Sequence, residues 1–256
     1  MYIDPNPSHS LAVLTQHLSE LDLTTYSIYA LVDHAFHEQV LRAIQPLPNS
    51  WQNLMAHVPG ATPDMSPLLI TLNSIDSQWP TLAKLIALAD GLPMLSVMAS
   101  RHSLSALAAH FACYVDVAVE PDHDEYMLRF ADTRTLPNLL AALSSDQRAL
   151  MLGPLYRWWF RDREANWVAV SGGNETAYAK ERLAITSAQF GQMLDTAIPD
   201  LIYSRLKHDM ADWLPYSPAL AIQQIESWVN QARQQGLQEV RDLQSYCLSQ
   251  LMGPDE

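Results

Sequence analysis

Tyr126–Arg163, YMLRFADTRTLPNLLAALSSDQRALMLGPLYRWWFRDR, holds strand, helix and strand signals in one stretch, and the rest of the chain reads as flanks to it. Tyr126, Leu128 and Phe130 alternate with Met127, Arg129 and Ala131, the period of two of a strand with one face on a core. Thr135 stands where it can cap a helix from Leu136 to about Leu143, with Pro137 tolerated in the first turn. Ser144 or Ser145 caps a second short helix over Asp146 to Leu152, which Gly153-Pro154 stops. Tyr156, Trp158 and Phe160 then alternate with Arg157, Trp159 and Arg161 in another strand. Alternation sends one of Trp158 and Trp159 into the core and the other outward, where an aromatic can anchor a partner. Arg129, Asp132 and Arg134 at the strand-to-helix turn admit two readings: an anion site or docking patch, since a guanidinium fork suits carboxylate or phosphate, and an ion-pair cluster that fixes the turn.

Before this stretch, Ser10–Leu21 is spaced as an amphipathic helix, and Tyr26–Asp33 is an apolar run of the kind buried on both faces of a sheet. Helical spacing returns over Phe36–Ile44. Gln45–Pro67 reads as a long irregular loop around Trp51, Leu54 and Met55. PLLITL, a helix over Gln78–Asp90, PMLSVMAS as a second apolar strand and a helix capped by Ser103 follow. YVDVAVE pairs with the Tyr126 strand, and Trp167–Ser171 closes a hairpin on the Tyr156 strand. The layout is an α+β fold, a mixed β-sheet lobe with flanking helices over residues 1–172.

From Gly172-Gly173 the pattern turns helical, giving a smaller all-helical lobe over residues 173–256. Ser187 caps a helix that Pro199 is expected to break. Ser217-Pro218 starts another, with Ile222, Ile225 and Val229 as its apolar stripe, and a last helix carries Val240, Leu243, Cys247 and Leu251. Trp213 and Tyr216 lie in an aromatic turn between helices, either a staple or an exposed anchor.

The 256 residues carry a formal charge of −13, which argues against binding nucleic acid or an anionic membrane face. The first residues have neither a basic head nor an apolar stretch, no segment reaches the length of a membrane span, and the two cysteines, Cys113 and Cys247, form no paired motif. A cytoplasmic location with inert thiols is expected. Chemistry-bearing motifs are sparse. His34 and His37, three apart after Asp33, have a spacing that suits metal ligands on a helix face, but no third ligand accompanies them. His102-Ser103 and His110 lack a nucleophile elbow, and Ser103 serves better as a helix cap. Asp122–Glu125 reads as a solvated hairpin tip, and no glycine-rich phosphate loop is present. A binding protein is therefore expected over an enzyme, with no cofactor and no metal.

The order of YALVD, PLLITL and PMLSVMAS, followed by Ser103, Leu104, Leu107 and His110 on one helix and then LRFADTRTLPNLL, resembles the adaptor-chaperone family of bacterial type VI secretion. The resemblance covers Tyr26–Val170, and LRFADTR is similar to that family's L-R-F-Y-D-P-R pattern, with Ala131 in place of the aromatic and Thr133 in place of the proline. It implies a non-enzymatic protein that holds a toxin effector before export and helps load it on the secretion spike protein, with a cleft between the lobes as a clasp. The candidate partner-binding residues are Arg129, Asp132, Arg134 and Trp159 in the sheet lobe, and Tyr203, Trp213, Tyr216 and Trp228 in the helical lobe. Trp228, beside the Ile225 stripe, suits the core equally well. An immunity-type protein that binds a toxin is a second reading, and a metal-dependent hydrolase using Asp33, His34, His37 or His110 a third.

Overall fold

The computed structural model of the chain describes residues 2–44, 50–72, 79–176 and 178–253. They form two compact units, Met1–Phe190 and Gly191–Glu256.

The first unit is organised by β1 (Ser27–Asp33), the apolar run of the sequence. Two helices precede and follow it, α1 (Ser10–Ser19) and α2 (Val40–Ile44), with a 3-10 turn at His34–Phe36. Then come β2 (Trp51–Asn53), β3 (Pro67–Leu72), α3 (Pro80–Leu88), β4 (Leu95–Ser100) and α4 (Leu104–Ala112). Next are β5 (Asp116–Glu120), β6 (Asp124–Met127), α5 (Leu136–Ala142), α6 (Ser145–Leu152), β7 (Arg157–Arg161), β8 (Trp167–Ser171) and β9 (Ala184–Thr186). A six-stranded sheet has the order β2-β3-β1-β4-β7-β8, and each neighbouring pair in it is antiparallel. The mixed character lies in a second sheet, β6-β5-β9, where β9 runs parallel to β5. Residues 173–190, grouped by their sequence with the helical part, therefore supply a strand and the start of a helix to this unit.

Both faces of the large sheet are covered. Ile28, Ala30 and Val32 of β1 join Val97, Ala99 and Trp159 in a core closed by Leu14 and Leu18 of α1, Val40 and Ile44 of α2, and Leu82, Leu85 and Ile86 of α3. On the other face Phe111 of α4 meets Trp158 edge-on with ring centroids 5.5 Å apart and stacks on Phe130 at 5.8 Å. The Trp158 indole N–H donates to Ser96 Oγ at 2.8 Å. The expectation that one of this tryptophan pair faces solvent is thereby corrected. Because β7 is an interior strand between two helix-covered faces, alternation buries Trp159 as well, and it is 2% exposed. Arg161 of β7 is buried too, over the Trp167 ring and donating to Ala89 O at the end of α3; desolvation lowers its pKa to about 10.

Other readings change for local reasons. The strand expected over Tyr126–Ala131 stops at Met127, on an edge where Tyr126 and Met127 are exposed; Phe130 and Ala131 are buried by a turn instead. The expected Phe36–Ile44 helix is a 3-10 turn followed by the shorter α2. In the expected loop, residues 45–49 lie outside the described residues, and Trp51–Asn53 pairs with β3 while Leu54 and Met55 are buried. Gln78, the expected start of a helix, also lies outside them.

The second unit holds most of α7 (Ser187–Met210), with α8 (Pro218–Gln234) and α9 (Val240–Met252). Pro199 sits inside α7 without ending it, contrary to expectation. A mid-helix proline costs about 3 kcal/mol, and burial of Ile198, Ile202, Tyr203 and Leu206 against Ile222, Ile225, Val229, Leu243 and Cys247 offsets that cost. Ser217 accepts from Leu220 N–H and starts α8 as its sequence indicated.

Candidate partner-binding surfaces

The turn after β6 is built by its own polar side chains. Leu128 N–H still donates to Val115 O, extending the ladder, and Asp132 N–H then closes on Arg129 O at 3.1 Å. The Thr135 hydroxyl donates to the carbonyls of Arg129 and Asp132, and Thr133 N–H ties the turn to Pro93 O at 2.8 Å. Arg134 grips Asp132 with a fork, Nε to Oδ1 at 3.1 Å and Nη2 to Oδ2 at 2.6 Å, while its backbone N–H donates to Oδ1 at 3.0 Å. Arg129 sends Nε and Nη2 to Oδ2 of Asp33 at 3.2 and 2.7 Å.

Both guanidiniums also lie over rings. Arg129 stands 4.9 Å from the centroid of Phe36, and Arg134 stands 4.9 Å from Tyr2 and 5.7 Å from Phe36. Tyr2 and Phe36 meet edge-on at 5.8 Å. The structure thus brings Arg129, Asp132 and Arg134 together as the sequence suggested, and adds Asp33, Phe36 and Tyr2. On sequence alone Asp33 is a candidate only for a metal-dependent site. The one signal that could have found it is a carboxylate closing an otherwise apolar run, a charge that must be paired if buried.

Each carboxylate is matched by a guanidinium, so the ion-pair reading of the turn is the one the geometry supports. What the cluster leaves to a partner is its rim: the Arg129 side chain is 45% exposed, whereas that of Asp33 is 4% exposed. Tyr2 is exposed beside it. The half-wet Arg129 guanidinium, already held by Asp33 and over the Phe36 ring, has little freedom left to lose, which lowers the entropic cost of contacting a partner.

In the second unit the four aromatic candidates divide cleanly. Tyr203 and Trp228 are core residues, buried with Ile202, Leu206, Ile225 and Val229, and are withdrawn as surface anchors. The apolar stripe at i and i+3 around Trp228 takes it inward with Ile225. Trp213 is 56% exposed and Tyr216 is 91% exposed. Both lie in the connection between α7 and α8, where Ala211–Trp213 forms a single 3-10 turn, and Leu220 just beyond is exposed as well. The aromatic turn is therefore exposed and not a staple between helices.

The histidines are structural ligands of the backbone. His34 is buried with Nδ1 bonded to Pro63 O at 2.8 Å, and Nδ1 of His37 accepts from Gln39 N–H, so the two do not share a helical face. His110 is fully buried in α4. Its Nε2 donates to Met151 O at 3.0 Å and its Nδ1 accepts from Ala179 N–H at 2.9 Å. Desolvation, assisted by the charge of His102, lowers its pKa to about 4, against the opposing bond to Met151. His102 bonds Glu175 O and the Tyr178 hydroxyl, so the two imidazoles hold Glu175, Tyr178 and Ala179 against α4. Ser103 caps α4 by accepting from Ala106 N–H. Among the described residues no group of three or more His, Cys, Asp or Glu is placed to hold a metal ion. Burial raises the Cys247 thiol to about 11, and burial with the charge of Asp116 raises Cys113, which suits inert thiols. No described helix is long and apolar enough to cross a membrane.

Residues 28–150 match the model of a protein family described as a domain of unknown function, DUF4123. The match covers 123 of the 256 residues, just under half, and includes β1 through α5 and most of α6. The whole LRFADTR turn and its Asp33 partner fall inside it; the second unit falls outside. No curated protein and no solved structure matches the chain significantly.

Proposed function

We propose that the chain is a non-enzymatic adaptor-chaperone, binding a toxin effector of a type VI secretion apparatus and helping to load it on the spike protein. The observation that carries this reading is the family match over residues 28–150, joined to the LRFADTR turn that it contains. The exposed anchors support a binding role. Trp213, Tyr216 and Leu220 put large apolar side chains into solvent within residues 213–220, and on the first unit the half-exposed Arg129 guanidinium and the Tyr2 ring are open to solvent. Trp, Tyr and Arg are the residue types that dominate interface energetics when a partner covers them. A net charge of −13 steers a basic effector segment toward the surface and makes that attraction weaken with salt.

The test is co-expression with the toxin effectors of the native host, one at a time, followed by size-exclusion chromatography with light scattering. The expected result is a complex at the summed mass, with the toxin's own activity not necessarily inhibited. Trp213→Ala and Tyr216→Ala are expected to leave the melting temperature unchanged and to weaken the complex at least about tenfold each. Two separate peaks of folded proteins, and no spike protein recovered from the native host, would reject the adaptor reading.

A further inference from the structure

We propose that the connection between α7 and α8 selects cations, and that its occupant is an amphipathic basic segment of a partner protein, with arginine or lysine set among apolar side chains; the proposal rests on the adaptor reading and specifies the segment held. Tyr216 is 91% exposed, Leu220 57% and Trp213 56%. The backbone beneath them is fixed at both ends, because Leu214 N–H closes on Ala211 O and Ser217 caps α8.

The charge around these rings decides what covers them. From His208 to Ala232 the chain has no lysine and no arginine but has three acids, Asp209, Asp212 and Glu226. Asp212 stands in the same 3-10 turn as Trp213, and Asp209 lies in the last turn of α7; both are exposed. Among the described residues Asp212 has no hydrogen-bond or ion-pair partner, and Asp209 has only the exposed His208 ring at 3.9 Å. The bases just before them are turned elsewhere: Lys207 lies over the Tyr203 ring at 5.4 Å, and Arg205 donates to Gln244 of α9. The carbonyl end of α7 opens into the same connection and adds partial negative charge.

A guanidinium or ammonium finds both of its partners here, ring faces and carboxylates. Its alkyl stem can lie along the Trp213 indole and Leu220. An acidic segment would set like charges against Asp209 and Asp212. A purely apolar one would cover those carboxylates without pairing them, at a desolvation cost that opposes its burial. A basic segment pairs them, and the −13 of the whole chain steers it in the same direction.

Fluorescence titration of the full chain with a synthetic amphipathic peptide of leucine and arginine, at about 50 mM salt, tests this. The expected result is saturable binding that changes the tryptophan emission, with no binding of the same peptide carrying glutamate for arginine. Asp209→Asn combined with Asp212→Asn is expected to raise the dissociation constant about tenfold without moving the melting temperature, since both side chains are exposed. Asp122→Asn combined with Asp124→Asn removes the same charge from an exposed tip of the first unit and is expected to change the constant by less than about twofold. Equal losses in the two double variants overturn the proposal, because the peptide would then be held by net charge alone; equal binding of the glutamate peptide overturns it too. An effector complex that Trp213→Ala weakens and the Asp209, Asp212 pair leaves unchanged overturns it while the adaptor reading stands. Failure of every effector to bind rejects that reading instead, and the peptide titration still decides the site.

Discussion

Acidification should unfasten α4 from its neighbours at His110. The buried imidazole is neutral, with its proton on Nε2 toward Met151 O and its Nδ1 lone pair taken by Ala179 N–H. A second proton has no place except on Nδ1, where it faces an amide donor. Burial first, and the charge of His102 next, bring the folded pKa from 6.5 to about 4. The unfolded chain therefore binds a proton at this site at pH values where the folded chain does not. Stability is fully present above about pH 7 and is lost as pH falls through 6.5 toward 4. Between about pH 7.5 and pH 5 the loss from this one group is about 2 kcal/mol, and it approaches 3 kcal/mol near pH 4. Urea denaturation followed by circular dichroism at the two pH values measures it. His110→Gln, which cannot titrate, should lose about 2 kcal/mol less than the parent over the same interval. Equal losses in parent and variant would refute the reasoning. A ring titration of His110 by NMR gives the same answer without the substitution, since an apparent pKa near 6.5 contradicts a buried, doubly bonded imidazole.

Trp159→Ala and Trp228→Ala should each destabilise their own unit by about 3–5 kcal/mol in urea, and a loss below about 1 kcal/mol would contradict the burial assigned to them. A double-mutant cycle on Asp33→Asn and Arg129→Ala should return a coupling of about 1–2 kcal/mol, above the exposed-pair range because Asp33 is enclosed and below the fully buried one because Arg129 is half wet. Zero coupling would mean that the turn is held by Asp132, Arg134 and Thr135 alone.

How far the chain could be read from its residues follows from the range of each signal. Ser103, Ser144 and Ser217 cap helices because the capping bond spans three residues, and a short motif contains all that it needs. The same holds for the β7–β8 hairpin and for the Arg134–Asp132 fork, whose partners are two residues apart. Arg129 and Asp33 are 96 residues apart, and nothing local announces their pairing.

Periodicity was informative only where its assumption held. Alternation implies one wet face, which is false for β7 because helices cover both sides of the sheet, so Trp158 and Trp159 are alike buried. It was false for β6 in the opposite sense, because an edge strand of a three-stranded sheet leaves both Tyr126 and Met127 exposed. Proline 199 shows the same competition inside a helix, where the packing of Ile198, Ile202 and Tyr203 outweighs a local break.

The residues by themselves determined the apolar strands β1, β3 and β4, the β7–β8 hairpin, the Ser103, Ser144 and Ser217 caps, the net acidic charge and the Asp132–Arg134 fork, but not the Thr135 cap, which the structure does not form. These depend on interactions a few residues long and on charge that simply adds. Only the tertiary structure decided the antiparallel order of the large sheet, the Asp33 partner, and which aromatics are core and which are available to a partner. Burial belongs to a surface and its cover together, and the cover is supplied by chain far away in sequence.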